Sequence, residues 1–390
     1  MKHGLLVCLV MFSSLFSGCL ESNDNMASEL EESQQITEEM ELEISNLSSQ
    51  LDEANNTILE LQALQVQLNE ISSQLDEANN TILELQNLLT ILNESAAGMY
   101  WPMRFESYNS TGPYMNHANW NNNLWDRVTF DDHGVPLVNY SWGTEYVPTT
   151  AFHWGLVSYS RWVETGNISN LDNATMIAEW AVENQSEGGA WLWGFSHNYS
   201  RGVLGELTAG WPGGMTQGLG MSFLVRMYSI TNDTRYLNAA LNATQPLQET
   251  VEDGGVMRVF NNQWIWYEEY PTPNNGSYVL NGFIYTLIGL YDNWLILGSN
   301  ESGEMYGNGV ESLHQMISMF DLGCNSSYDL VHHSIPSSAP NIARTLYHNL
   351  HITLLSVINA IEDDLLVDVE DRWLNYAMGQ CFASPNGANS

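Results

Sequence analysis

Trp266-Tyr267-Glu268-Glu269-Tyr270-Pro271, followed by Ser277-Tyr278-Val279-Leu280-Asn281-Gly282-Phe283 and Leu287-Ile288-Gly289-Leu290-Tyr291-Asp292, decides how this chain is read. Two carboxylates and two phenols sit on a proline-ended turn just before an apolar helix, so acids and hydroxyls meet at the mouth of a packed scaffold. Ahead of the turn, Val256, Val259, Trp264 and Trp266 alternate, which predicts a hairpin carrying Glu268, Glu269 and Tyr270 to the opening of the fold. On either side the apolar period is helical. Helices are expected near 148–164, 173–184, 215–230, 234–247, 278–297, 308–320, 341–360 and 367–379, with Asn232 or Asp233 capping one of them. Eight helices in four antiparallel pairs predict a mainly α fold, an incomplete α/α toroid of four helical hairpins with an aromatic-lined mouth. Short alternating segments from Trp101 to Val147, broken by Asp131-Asp132-His133-Gly134, predict a small β-hairpin region over 96–147 ahead of the helical domain at 148–390.

The N-terminal part has another character. Met1-Lys2-His3 is basic, Gly4 to Phe16 is apolar, and Ser17-Gly18 precedes Cys19, so residues 1–19 read as a lipoprotein-type signal peptide with Cys19 as the lipid attachment site. An uncleaved anchor is the alternative, although the apolar run is short against the ~20 residues of a membrane span. Either reading puts the body of the protein at the cell surface, membrane-anchored and extracytoplasmic. Residues 20–95 read as a linker and coiled-coil stalk. The segment Ser48–Gln62 recurs unchanged as Ser72–Gln86, and Ile44, Leu47, Leu51, Ala54, Ile58 and Leu61 follow heptad spacing that resumes at Leu64. The repeat is three residues longer than three heptads, a stammer that overwinds a coil locally. A homo-oligomer through this stalk is expected, the alternative being a charged spacer without basic partners for its acids.

Charge narrows the function classes. The formal net charge is -36, and from residue 95 onward 29 acids face 9 arginines, which argues against nucleic acid as a partner. Cys324 and Cys381 are the only cysteines outside the leader, enough for one disulfide or for two buried thiols. The histidines at 332, 333, 348 and 351 invite a metal reading, but His348 and His351 are only three apart and lack a nearby carboxylate motif, so neither a metal nor a cofactor is expected.

Further motifs run in order along the chain. They are Gly134-Val135-Pro136-Leu137 with Trp142-Gly143, Gly155-Leu156 to Tyr159-Ser160, and Gly214-Met215-Thr216-Gln217-Gly218. After the Glu-Glu-Tyr turn come Gly309 to Leu313, Tyr328-Asp329-Leu330 with His332, and Ala339-Pro340-Asn341-Ile342-Ala343-Arg344 running into Tyr347-His348 and His351-Ile352. Together with the opening stretch, over roughly residues 100 to 380, this series resembles the C-terminal catalytic region of the D-glucuronyl C5-epimerases. The resemblance implies C5 inversion of glucuronic acid to iduronic acid within a heparosan-like glycosaminoglycan, with an acidic polysaccharide as partner. It implies Glu269 and Tyr347 as the acid/base pair and Tyr270 and Tyr328 as further active-site phenols. Gln217, Asn281 and His348 fall in matched motifs as candidate substrate contacts.

Such a reaction removes a proton beside a carboxylate, so it needs two groups on opposite faces of the ring and something to stabilise the developing charge. Arg344, three residues before Tyr347 on one helical face, is the candidate for the substrate carboxylate. Val331 stands where the family motif usually continues with Arg. A polysaccharide lyase acting on uronates and a noncatalytic glycan-binding surface protein remain the competing readings.

Overall fold

The structure, a computed structural model, describes residues 24–95, 115–118 and 127–381; the signal segment and Cys19 lie outside them. The chain divides into two compact units, Met1–Ile91 and Leu92–Ser390.

Helix α1, Asp24–Ser95, runs unbroken for 72 residues, on the order of 100 Å at the α-helical rise. It contains neither glycine nor proline, so nothing in its sequence interrupts the hydrogen-bond ladder. Leu47, Leu51, Ile58, Leu61, Leu64, Leu68, Ile71 and Leu75 are all exposed along it. The helix of the expected stalk is therefore present, with its heptad seam uncovered.

The second unit opens with an antiparallel meander of β1 (Val128–Phe130), β2 (Pro136–Tyr140) and β3 (Gly143–Tyr146), with Val128 opposite Val138 and Val138 opposite Glu145. Asp131 organises the first turn, since its carboxylate accepts hydrogen bonds from the backbone N–H groups of His133 and Val135 and from the Tyr146 hydroxyl. Gly134 sits in the same turn at φ +87°, a conformation that glycine reaches without a Cβ clash.

Four helix pairs follow: α2 (Pro148–Thr165) with α3 (Ile168–Asn184), α4 (Gly214–Thr231) with α5 (Thr234–Asn242), α6 (Leu280–Leu297) with α7 (Asn300–Met316), and α8 (Thr345–Ile361) with α9 (Val367–Ala377). Three pairs reverse direction in two residues by one device. A left-handed residue ends the first helix (Gly166, Asn232, Gly298), and the next residue (Asn167, Asp233, Ser299) caps the second by accepting a backbone N–H bond with its side chain. The first helices α2, α4, α6 and α8 pack side by side in chain order, and each second helix packs on its own partner.

Small residues set how closely the central helices approach. A Cβ on Gly218 of α4 would lie 2.4 Å from the Tyr285 carbonyl oxygen, and one on Gly289 of α6 would lie 2.3 Å from that of Gly218. A buried ion pair, Arg226 Nη1 to Asp292 Oδ2 at 2.9 Å, ties the same two helices, and the Ser222 hydroxyl donates to that carboxylate as well. Around this crossing Trp191, Phe152, Phe223, Trp266, Phe283 and Phe320 fill the core, with Trp266 stacked on Phe283 at 3.7 Å.

The expected helix series is present with shifted ends. The largest shift is α7, expected from 308 and found from 300. Gly303 and Gly307 depress its intrinsic propensity, but Gly303 packs against the Trp294 indole and Ser299 caps the start. The helix expected to reach 247 stops at Asn242, and a separate turn at Gln245–Gln248 carries Pro246. Cys324 and Cys381 are disulfide-bonded across 57 residues, and a loop of that length corresponds to about 4 kcal/mol in the chain-entropy picture. Beside that bridge, Arg372 and Tyr376 of α9 both bond to Asp321, holding the end of the domain to the 321–325 turn.

Candidate active site

The hairpin β4 (Met257–Phe260) and β5 (Trp264–Tyr267) leads directly into Glu268 and Glu269, as the alternating tryptophans predicted. Two glycines at the start of α4 let this turn approach the helix. The N–H of Gly214 donates to the Glu268 carbonyl at 2.7 Å, and a Cβ on Gly213 would lie 2.8 Å from the Glu269 carbonyl oxygen.

The two glutamates face different surroundings. Glu268 is fully buried; its Oε2 accepts from the Ser277 hydroxyl (2.6 Å) and the Tyr278 N–H (3.0 Å), and Arg258 Nε stands 3.7 Å from Oε1. Tyr278 holds that N–H in place at φ +51°, an uncommon conformation for an aromatic residue. Its ring is clamped edge-on against Phe260 and Trp266. Burial pushes the Glu268 carboxyl up to about 7 against the pull of Ser277, Arg258 and the Tyr278 amide. Glu268 is thus the group that fastens the turn.

Glu269 points elsewhere. Its side chain lies over Gly282 in the first turn of α6, where a Cβ would sit 2.3 Å from Oε2. That oxygen is buried and accepts no hydrogen bond. Burial raises the Glu269 carboxyl to about 7, with a hydrogen bond from Tyr270 pulling down and the charge of Glu268 pushing up. The adjacent Asn281, also buried, has an Oδ1 without a hydrogen-bond partner.

Five phenols gather round Glu269. Tyr199, Tyr270, Tyr285, Tyr328 and Tyr347 are all raised above the ordinary phenol range, first by burial and then in part by the Glu269 charge. Tyr270 stacks on Tyr199 at 4.5 Å, and Tyr347 meets Tyr328 edge-on at 4.7 Å. The Tyr199 hydroxyl donates to Asp329 Oδ2 at 2.5 Å; Asn341 Nδ2 donates to the same oxygen and the Val331 N–H to Oδ1. Buried Asp329 is therefore satisfied without a cation. At neutral pH all five phenols are protonated donors around one carboxyl that is poised near neutrality.

The structure brings Glu269, Tyr270, Tyr328 and Tyr347 together, and Asn281 lies in the first turn of α6, one residue before the Gly282 that Glu269 packs over. Two other expected contacts turn out to belong to the scaffold. Gln217 is fully buried; its Oε1 accepts from the Trp191 N–H, and its Nε2 donates to the Gly189 and Ala243 carbonyls. His348 is engaged at both nitrogens, Nδ1 accepting from the Ser326 N–H at 3.0 Å and Nε2 donating to the Trp373 carbonyl at 3.1 Å. Both lie in the same motif series as the residues of the acid–phenol cluster, and nothing in one sequence separates a helix-packing polar group from one that faces a site. Arg344 caps α8, its carbonyl accepting from the N–H groups of Tyr347 and His348. Its side chain is exposed and is not among the charges that act on Glu269 or Tyr347. It positions Tyr347 through the backbone, and its exposed guanidinium is left facing outward from α8.

Tyr199 and Tyr285 were missed. Tyr285 had a readable signal, since it lies one turn beyond Asn281 and Gly282 on the same face of α6. Tyr199 sits in the irregular 185–213 segment, where no period marks a face.

Comparison with known proteins agrees with this geometry. Residues 185–375 match the family described as D-glucuronyl C5-epimerase C-terminus, a span that contains every residue of the acid–phenol cluster. A D-glucuronyl C5-epimerase of Caenorhabditis elegans is 41% identical over 216 residues, 52% of this chain and 34% of that protein. An uncharacterized protein of Methanocaldococcus jannaschii is 29% identical over 174 residues, 44% of this chain and 54% of that one. The chain thus spans between a third and about half the length of these curated relatives.

Proposed function

We propose that this protein is an isomerase that inverts C5 of glucuronic acid residues within a uronate-containing, heparosan-like polysaccharide, a reading supported by the match of residues 185–375 to the D-glucuronyl C5-epimerase C-terminal family. The observation that carries the reading is Glu269, a buried carboxyl raised to about 7, with an oxygen that has no hydrogen-bond partner and five phenols around it.

The chemistry follows from those groups. C5 of a uronate carries a proton made weakly acidic by the adjacent carboxylate. Glu269, partly ionised at neutral pH, takes that proton; the raised phenols are poor bases but ready donors, so Tyr347 returns a proton to the opposite face. The transient enolate is stabilised by hydrogen bonds from Tyr270 and Tyr328 in place of a cation. After one turnover Glu269 holds the abstracted proton and Tyr347 is a phenolate. Tyr347 is 37% exposed, which lets it recover its proton from solvent. The same pair in exchanged roles runs the reverse reaction.

The wider arrangement is read in the same spirit. The four helix pairs, first helices side by side, are taken as an incomplete α/α toroid whose mouth holds the site. The exposed seam of α1 is taken as a homo-oligomeric coiled coil that lifts the catalytic unit from a membrane to which a lipid on Cys19 anchors it.

Proton NMR of a glucuronic-acid-containing polymer in heavy water tests the reaction. Wild-type protein should exchange the C5 proton and produce iduronate signals without the ultraviolet absorbance of an unsaturated product. Glu269→Gln and Tyr347→Phe should each lose about 10²- to 10⁴-fold in rate while still binding polymer. New absorbance would assign a lyase, and polymer binding by wild type without exchange would leave a glycan-binding protein.

A further inference from the structure

The triplet Asn-X-Ser/Thr, with X other than proline, occurs fifteen times among the forty asparagines of this chain. Serine and threonine make up about a seventh of the residues, so about six such triplets would arise by chance. Burial divides the asparagines along the same line. Asn116, Asn281, Asn293, Asn349 and Asn359, the buried asparagines among the described residues, all lie outside the triplets, whereas each described asparagine within one is exposed or half-buried.

Each two-residue helix reversal carries a triplet. Asn167 lies between α2 and α3, Asn232 lies between α4 and α5, and Asn300 opens α7, with Ser169, Thr234 and Ser302 two residues further on. All three asparagines are exposed. The turns themselves do not require them. Glycine ends α2 and α6 as Asn232 ends α4, aspartate and serine cap α5 and α7 as Asn167 caps α3, and Asn300 has neither duty. At Asn167 the cap engages Oδ1, which accepts from the Ser169 N–H at 3.0 Å, and makes no use of Nδ2.

These reversals lie far from the acid–phenol cluster. Helix α4 starts against the Glu268 and Glu269 carbonyls and α6 starts under the Glu269 side chain, and each runs 18 residues, about 27 Å, before it turns. Gly155 faces Phe223 and Tyr159 lies in the field of Arg226, so α2 runs parallel to α4 and ends on the same side. Val163 and Ile168 flank the first reversal and Trp294 and Leu295 precede the third, all of them exposed. The triplets at Asn198 and Asn275 instead adjoin Tyr199 and the Ser277 that holds Glu268, where a bulky group would crowd the cluster.

We propose that Asn167, Asn232 and Asn300 are N-glycosylation sites, and that oligosaccharide covers the apolar side chains at this end of the helical unit. The assignment is independent of the reaction at Glu269 and requires an exported chain, as the leader at 1–19 predicts. The donor is an oligosaccharide joined through phosphate to a lipid, supplied with its transferase by the cell. Asparagine Nδ2 forms the bond to the anomeric carbon, the bond from that carbon to the phosphate oxygen breaks, and the lipid phosphate leaves with the electron pair while the amide gives up one proton.

The full chain, exported by cells that glycosylate an exported reporter at the same triplet, tests this by mass spectrometry of proteolytic peptides. Peptides holding Asn167, Asn232 and Asn300 should each carry an oligosaccharide increment. Ser169→Ala and Thr234→Ala leave the two asparagines in their turns and should each erase one increment, as should Asn300→Gln. The triple variant changes only exposed side chains, so it should keep the wild-type helical signal while aggregating at a lower temperature on heating. Bare asparagines at the reversals, oligosaccharide at Asn198 or Asn275 in their place, or an increment that survives the loss of its own hydroxyl would each overturn the assignment. An unchanged aggregation temperature in the triple variant would overturn the covering role.

Discussion

Glu269 and Glu268 are adjacent, both buried, and both pushed up to about 7, yet their roles diverge through what each oxygen touches. Glu268 Oε2 accepts from Ser277 and Tyr278 and its Oε1 faces the Arg258 guanidinium at 3.7 Å without a hydrogen bond, whereas the buried Glu269 Oε2 has neither a hydrogen-bond partner nor a cation acting on it. Because the charge of Glu268 helps to raise Glu269, Glu268→Gln should move the acid limb of kcat/KM from near 7 toward lower pH while the fold is retained. A pH–rate profile with an unmoved limb would show that the two carboxyls are not coupled. The same shifts bear on stability. The folded chain keeps these protons up to about pH 7, while an unfolded chain releases them near the ordinary carboxyl value of 4.5. Stability is therefore fully present below 4.5 and falls as pH rises through 7. Denaturant melts of Glu269→Gln against wild type should coincide near pH 4 and diverge in favour of the variant by about 2–3 kcal/mol at pH 8.

At the scale of elements, the crossing of α4 and α6 leaves no room for a larger residue. A methyl on Gly218 would meet the backbone of Tyr285 and Thr286, which cannot swing aside as a side-chain tip can. Gly218→Ala should destabilise by about 1–3 kcal/mol, the range for overpacking, despite alanine's higher helix propensity. Thermal denaturation measures this, and a gain in Tm would mean that the helices can separate without loss. Because Tyr285 rides on the same crossing, the substitution should also lower activity. The helix turns were partly legible beforehand. Asn232-Asp233 announces itself as stop and cap, and Gly166-Asn167 and Gly298-Ser299 obey the same grammar. The early part of α7 was hidden by Gly303 and Gly307, because glycine that serves packing is indistinguishable by type from glycine that breaks a helix.

On the scale of the whole molecule, α1 and the catalytic unit are separate compact bodies. A chain beginning at residue 96 should fold and keep its activity while losing association. Sedimentation of the two forms checks this, and loss of the helical unit's folding with the stalk removed would overturn the division. Net charge also belongs to this scale. At -36 the protein repels a polyanion at long range, so activity on an acidic polymer should depend on neutral contacts inside the groove, where salt screening over about 8 Å limits the outer field.

The sequence by itself determined the elements and their order. Apolar periods of 3.6 and of 2 reflect which face each segment must bury, and that requirement is local enough to read from spacing. It also marked Glu269, Tyr270, Tyr328 and Tyr347 through ordered motifs. What the tertiary structure decided was which buried polar residues are matched by backbone groups and which keep an oxygen without a partner. Gln217 and Glu269 are both buried polar residues beside glycines, yet one is matched by three backbone groups and the other is left with an open oxygen. That difference depends on partners 26 to 28 residues away in the case of Gln217, and on the seat that α6 provides at Gly282 in the case of Glu269. Hydrogen-bond satisfaction is a property of the packed molecule, and no window of sequence contains it.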